Sequence, residues 1–180
     1  LDREQILSPC QAIGKLLVWD SCDSAAWDKL YKVKLFKGRR YPFGVLHEDL
    51  NFTSKLFSES DKIVLTGMPL YNYLIRENSI CNKPFTTQKF DIYEQAKLNC
   101  QFVRDTYKEL EEKAKYFLFR CTCTLLQSAS DAAQISEKDL KRVKELARTQ
   151  LSTAILNRFV PLGERKYYFE LLYKVCIKKK

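Results

Sequence analysis

The sequence predicts an α+β fold, mostly helical, in which a small β remnant precedes a bundle of about four helices. Three observations carry this. Five Gly and five Pro are few for 180 residues, and both types interrupt helices. None of them falls between Phe85 and Val160, where apolar residues recur three or four apart. Upstream, short β-branched or aromatic runs at 62–65 and 70–75 are flanked by turn residues, which is the pattern of strands.

In chain order, Ser8-Pro9 marks a helix start, because Pro is pre-organised for the first helical position. Ala12, Leu16, Leu17 and Trp19 give that helix its stripe, and its beginning can extend upstream over 3–6. The polar run 20–24 breaks the pattern. Residues 32–36 read as a strand or a short helix, and periodicity does not decide between them. Gly38 ends that element, and Tyr41-Pro42-Phe43-Gly44 is an extended turn. From Glu48 the pattern is helical through Leu50, Leu56 and Phe57, and it closes at 58–60. The two short strands follow, separated by the turn Gly67-Met68-Pro69.

After Pro84 come the helices. Phe90, Tyr93, Ala96, Cys100 and Val103 give one face; Tyr107, Leu110, Ala114, Phe117, Cys121 and Leu125 give a second. Residues 128–135 read as a small-residue loop. Ser136-Glu137-Lys138-Asp139 resembles a capping box, and one stripe runs from Leu140 to Ile155. Pro161 and Gly163 stop that helix. A last helix from Glu164 to about Ile177 carries Tyr168, Leu171, Leu172 and Val175. The domain boundary is expected at Pro84, giving 1–84 and 85–180.

Composition narrows the function classes. With 46% hydrophobic and 13% aromatic residues the chain can bury a core, and disorder is not expected. No apolar run approaches the roughly 18 residues of a membrane span. The polar start Leu1-Asp2-Arg3-Glu4 has no secretory pattern. The first residue is not Met, so the expectation is a chain processed or cut from something longer. Seven Cys and one His do not make the usual zinc spacings, so the thiols are read as small buried hydrophobes in a reducing compartment. A net charge of +9 permits nucleic acid, anionic lipid or phosphorylated ligands. The charge is spread out, except for 29–40 and the tail Lys178-Lys179-Lys180.

One stretch stands out for chemistry. In Gly44-Val45-Leu46-His47-Glu48-Asp49-Leu50, two adjacent carboxylates sit beside the only histidine. A carboxylate at the edge of an apolar scaffold can have its proton affinity tuned for general-base work. An adjacent Glu-Asp pair also suits a helix N-terminus. The two readings are compatible.

Residues 24–80 resemble the second half of the catalytic domain of bacterial family 2 glycosyltransferases, polysaccharide-type enzymes of GT-A fold. Four pieces match in order. Ala26-Trp27-Asp28-Lys29-Leu30-Tyr31 resembles the family's Trp-Asn-Lys-Leu-Tyr, with Asp28 for Asn. Tyr41-Pro42-Phe43-Gly44 resembles its Phe-Pro-x-Gly turn. His47-Glu48-Asp49 is similar to its Tyr-Glu-Asp. Residues 69–80, beginning Pro69-Leu70-Tyr71-Asn72-Tyr73, resemble its Pro-Leu-Tyr-x-Tyr-x-x-Arg-x-x-Ser signature, with Arg76 and Ser79 at the last two places.

The resemblance implies sugar transfer, with inversion, from a nucleotide-sugar to a glycan or lipid-linked acceptor. It implies Asp49 as base and Glu48 as the group orienting acceptor or base. Arg76 would contact phosphate oxygens, with Ser79 assisting. Trp27 and His47 are substrate-side candidates; by residue type the expectation is a core Trp27 and a structural His47. The small β remnant would belong to the GT-A domain, making 1–84 its acceptor-side part. The family's nucleotide-binding half, which ends in Asp-x-Asp, is not in this sequence. No cofactor is therefore expected in this chain, a divalent metal (Mg or Mn) is implied for a full-length enzyme, and the chain alone is expected to be inactive. The expected place is the cytoplasm, at or near the inner membrane face. Peripheral membrane contact and homo-oligomerisation are compatible with this reading, and no nucleic-acid partner is expected. The alternative is a non-catalytic basic helical module that binds nucleic acid, a membrane face or a protein partner.

Overall fold

The computed structural model describes residues 4–74 and 84–177. It is mostly helical, with seven α-helices and one two-stranded sheet among those residues. Strand β1 (Gln5–Leu7) pairs antiparallel with β2 (Ile63–Leu65), with Ile6 opposite Val64. Helix α1 (Pro9–Leu16) follows β1 directly. The expectation that this helix extends upstream is corrected here. Ser8 is extended, at φ −69° and ψ 161°, because the residue before a proline avoids the helical region. The Ser8 hydroxyl accepts from the Gln11 amide, and the Gln11 side chain accepts from the Ser8 amide. This reciprocal box fixes the start of α1.

Residues 33–36 form a short 3-10 turn with only Leu35 buried. Helix α2 (Asp49–Ser58) begins at the carboxylate pair and buries Leu50, Leu56 and Phe57. The strand expected at 70–75 is not formed over its described part, 70–74. Pro69 supplies no amide, and the Leu70 amide turns back to the Met68 carbonyl at 2.9 Å, so neither can enter a ladder.

Helices α3 (Asp91–Thr106) and α4 (Glu111–Asp131) form the most extensive helix pair. A 3-10 turn at Lys108–Leu110 joins them. Helix α4 runs past Ser128, where a loop was expected. The Ser128 hydroxyl bonds back to the Thr124 carbonyl at 3.0 Å, and Ala129 is fully buried, so the last turn stays in place. The single stripe expected from Leu140 to Ile155 is divided between α5 (Glu137–Arg148) and α6 (Leu151–Leu156). At the division the Gln150 amide reaches the Ala147 carbonyl at 2.8 Å, a tightened turn. Helix α7 (Leu162–Ile177) starts before the expected Glu164 and includes Gly163. Pro161 precedes it, and its carbonyl accepts from the Arg165 amide.

One hydrophobic cluster runs through the molecule from Leu7 to Val175 and crosses residue 84. Ile13 and Leu16 of α1, Phe117 and Leu126 of α4 and Leu171 of α7 are almost wholly buried in it. Gly14 lets α1 approach this core closely, since a Cβ there would meet Leu110 Cδ2 at 3.2 Å. Tyr168 is fully buried, and its hydroxyl donates to the Ala147 carbonyl at 2.6 Å, tying α7 to α5. The core thus gives α2 a rigid support, packed against both α1 and α3.

Candidate functional site

The site is built around the first turn of α2. Gly44 enters it at φ +75°, and His47 follows at φ +58°. A non-glycine residue in the left-handed region costs free energy and needs support. Support comes from both sides. The Leu46 amide donates to Asp91 Oδ2 at 2.9 Å, pinning the loop to the start of α3. The His47 carbonyl accepts from the Leu50 amide at 3.1 Å. Glu48 occupies the cap position without a side-chain cap bond, and Asp49 is the first helical residue.

Asp49 is half-buried. Burial pushes its carboxyl up to about 6, and the neighbouring Glu48 charge pushes the same way. The nearby backbone amides of Asp49 and Leu50 oppose this, and Asp23 adds a smaller upward push. Near neutrality such a carboxyl takes and releases a proton readily, which is what a general base needs. His47 is half-buried too. Burial lowers its proton affinity, Lys89 lowers it further, and Glu48 and Asp91 partly offset both.

Around this turn stand groups that no sequence motif singled out as a set. Phe52 lies one turn on from Asp49, and its ring centroid is 4.4 Å from Tyr41 and 6.1 Å from Phe36. Phe36 in turn meets Tyr31 edge-on at 5.6 Å. Inside this ring cluster the Tyr31 and Tyr41 hydroxyl oxygens are buried and make no hydrogen bond. The two hydroxyls stand near each other, and Tyr31 stands near Thr53, without bonding geometry. Burial pushes both phenols up to about 12; for Tyr41 the charges of Asp49 and Glu48 add to it. Asn51 Oδ1 and Ser54 Oγ on α2 are also buried and unbonded. A buried polar atom without a partner costs free energy, and a functional site is one place where that cost is tolerated. The sequence signal that could have found part of this set is the spacing of Asp49, Phe52 and Thr53, which share one helix face.

Segment 23–29 sits beside α2 because the Thr53 hydroxyl donates to the Ser24 carbonyl. Lys29 organises that segment, with Nζ 2.6 Å from the Ala25 carbonyl, 2.6 Å from Asp28 Oδ1 and 3.3 Å from Asp23 Oδ1. Asp28, at the position where the family has Asn, is therefore held in an ion pair with Lys29.

Of the sequence-predicted residues, the structure brings His47, Glu48 and Asp49 together. Trp27 is not a core residue as expected. It is 45% exposed and stacks on Tyr71 and Tyr73, with centroids 4.6 and 5.0 Å away. These tyrosines reach it because 70–74 is an open segment and not a strand. Arg76 and Ser79 lie outside the described residues. So does Cys81, while the six described cysteines are free thiols. Among the described residues no three His, Cys, Asp or Glu side chains are grouped so as to hold a metal ion. The divalent metal that the resemblance implies is that of a full-length enzyme, and the described residues of this chain offer no such ligand set for it. No described helix is long and apolar enough to cross a membrane.

A cleft of about 610 Å³ opens between 28–35 and 60–70. Tyr31 lines it, and Asp49 does not. Helix α2 thus separates two features, the carboxylate at its start and the cleft near Phe57 at its end.

The chain has a stretch of similarity to a known enzyme. Over 56 residues it is 39% identical to glycosyltransferase GlyA of Streptococcus pneumoniae serotype 4. The match covers 31% of this chain and 8% of that protein, so it is a local, glycosyltransferase-like relationship. No family model matches the chain, and no solved structure matches it.

Proposed function

We propose that this chain supplies the acceptor side of an inverting glycosyltransferase, related to family 2 enzymes of GT-A type. Asp49 removes the proton from an acceptor hydroxyl as the sugar leaves a nucleotide-sugar. Glu48 holds the acceptor or steers Asp49. The acceptor is a glycan or a lipid-linked saccharide. The donor-binding half and any metal ligands come from elsewhere in a longer protein. Arg76 and Ser79 are proposed contacts to the donor phosphates.

The observation that carries this reading is the Asp49 carboxyl, raised to about 6 at the rigid start of α2. Burial keeps its proton affinity high, and its place in the first turn of α2 fixes where it stands. The four ordered motifs and the local match to GlyA support the same reading. Trp27 with its stacked tyrosines is a proposed sugar-facing surface, since half-exposed rings present flat apolar faces beside polar groups.

The test is sugar transfer by the longest form of the protein, assayed with a panel of nucleotide-sugars and mixed glycan acceptors. Asp49→Asn is nearly isosteric and should abolish transfer while the fold stays intact. Undiminished transfer by that variant removes Asp49 from the role of base.

A further inference from the structure

We propose that the segment from Leu30 to Arg40 is a docking surface for an anionic lipid bilayer, independently of the role given to Asp49. Leu30 is fully exposed and Val33 is 86% exposed. The 3-10 turn at Val33–Phe36 turns Leu35 into the core and leaves Val33 outside. Cations surround both aliphatic side chains. Leu30, Lys32, Lys34 and Lys62 line the cleft described above. Val33, Lys34, Lys37 and Arg40 line an adjoining concavity. Tyr31 and Lys34 belong to both linings, so the two form one continuous surface.

The charge of this surface is largely uncompensated. Lys34 faces Asp61 at 3.7 Å across open solvent, and Arg39 pairs with Glu59. Lys32, Lys37 and Lys62 have no carboxylate within ion-pair distance among the described residues, and all three are exposed. The Arg40 guanidinium donates to the Phe36 and Arg39 carbonyls, which carry no net charge to balance it.

Aliphatic side chains standing in water amid unpaired cations suit a bilayer interface. The apolar groups enter the acyl boundary while lysine and arginine meet lipid phosphates. Single-stranded nucleic acid fits less well, because it binds by stacking bases on exposed rings. The rings of this segment are already engaged: Tyr31 with Phe36, and Phe36 with Phe52.

The experiment is co-sedimentation of the protein with phosphatidylcholine vesicles, with and without phosphatidylglycerol. Expected is binding to the phosphatidylglycerol vesicles that weakens with salt. Each cation near the surface contributes about fivefold, so Lys32→Gln/Lys37→Gln/Arg40→Gln should weaken binding on the order of a hundredfold. Leu30→Ser/Val33→Ser should weaken it by about tenfold or more. All five side chains are outside the core, and far-UV circular dichroism verifies that each variant is folded. A chain ending at Ile177, without the three terminal lysines, should bind as before. The proposal is overturned if phosphatidylglycerol vesicles do not bind the protein. It is equally overturned if only removal of the terminal lysines abolishes binding, or if single-stranded RNA binds more tightly than the vesicles do.

Discussion

The Thr53 hydroxyl donates to the Ser24 carbonyl at 2.7 Å, wholly buried between α2 and the segment that precedes Trp27. It fastens to α2 the segment that carries Asp23, whose charge reaches Asp49. Thr53→Val keeps the shape and removes the donor, leaving a buried carbonyl unbonded. The expected cost is about 1–2 kcal/mol of stability, read as a lower urea midpoint at unchanged slope. An unchanged midpoint would show that the segment is held by packing alone.

The raised Asp49 carboxyl has a consequence for stability. Its folded value of about 6 exceeds the ordinary carboxylate value, so the folded state binds the proton more tightly than the unfolded state. Ionised Asp49 therefore opposes folding above pH 6, and this effect fades as pH falls toward 4. Asp49→Asn should stabilise the protein by about 1 kcal/mol at pH 8, after allowance for solvent screening. The gain should vanish near pH 4. Urea unfolding of both proteins across that range checks the sign; a variant less stable at pH 8 contradicts it.

The Tyr41 hydroxyl is buried without a hydrogen bond, while its ring packs on Phe52. Tyr41→Phe keeps the ring and removes the orphaned group. Its thermal midpoint should stay level or rise, by up to about 1 kcal/mol of stability. A loss of stability would mean that the hydroxyl finds a partner in solution.

How much of this was legible in the sequence follows the range of the interactions. The start of α2 was legible, and so was Ser8-Pro9 as a start for α1, because the signals act within one turn of chain; that nothing helical precedes Ser8 was not. Strand β1 was not, because its partner Val64 lies far along the chain from Ile6 and the strand is only three residues long. The aromatic run Leu70-Tyr71-Asn72-Tyr73 has the pattern of a strand, yet its described part forms none. Those tyrosines are spaced to meet Trp27, a tertiary contact. In the site, Glu48 and Asp49 stood out as neighbours. Asp23 and Tyr41 did not, since only the folding of 23–41 over α2 brings them within electrostatic reach of Asp49.

The most direct test of the central claim is the pH dependence of sugar transfer by the longest form of the protein and by its Asp49→Asn variant. If Asp49 is the base, kcat/KM rises with pH through a single ionisation near 6, the value to which burial lifts its carboxyl, and levels off above it. The variant then shows no such rise and only residual transfer. Transfer by Asp49→Asn at the native rate, with the same pH profile, contradicts the account.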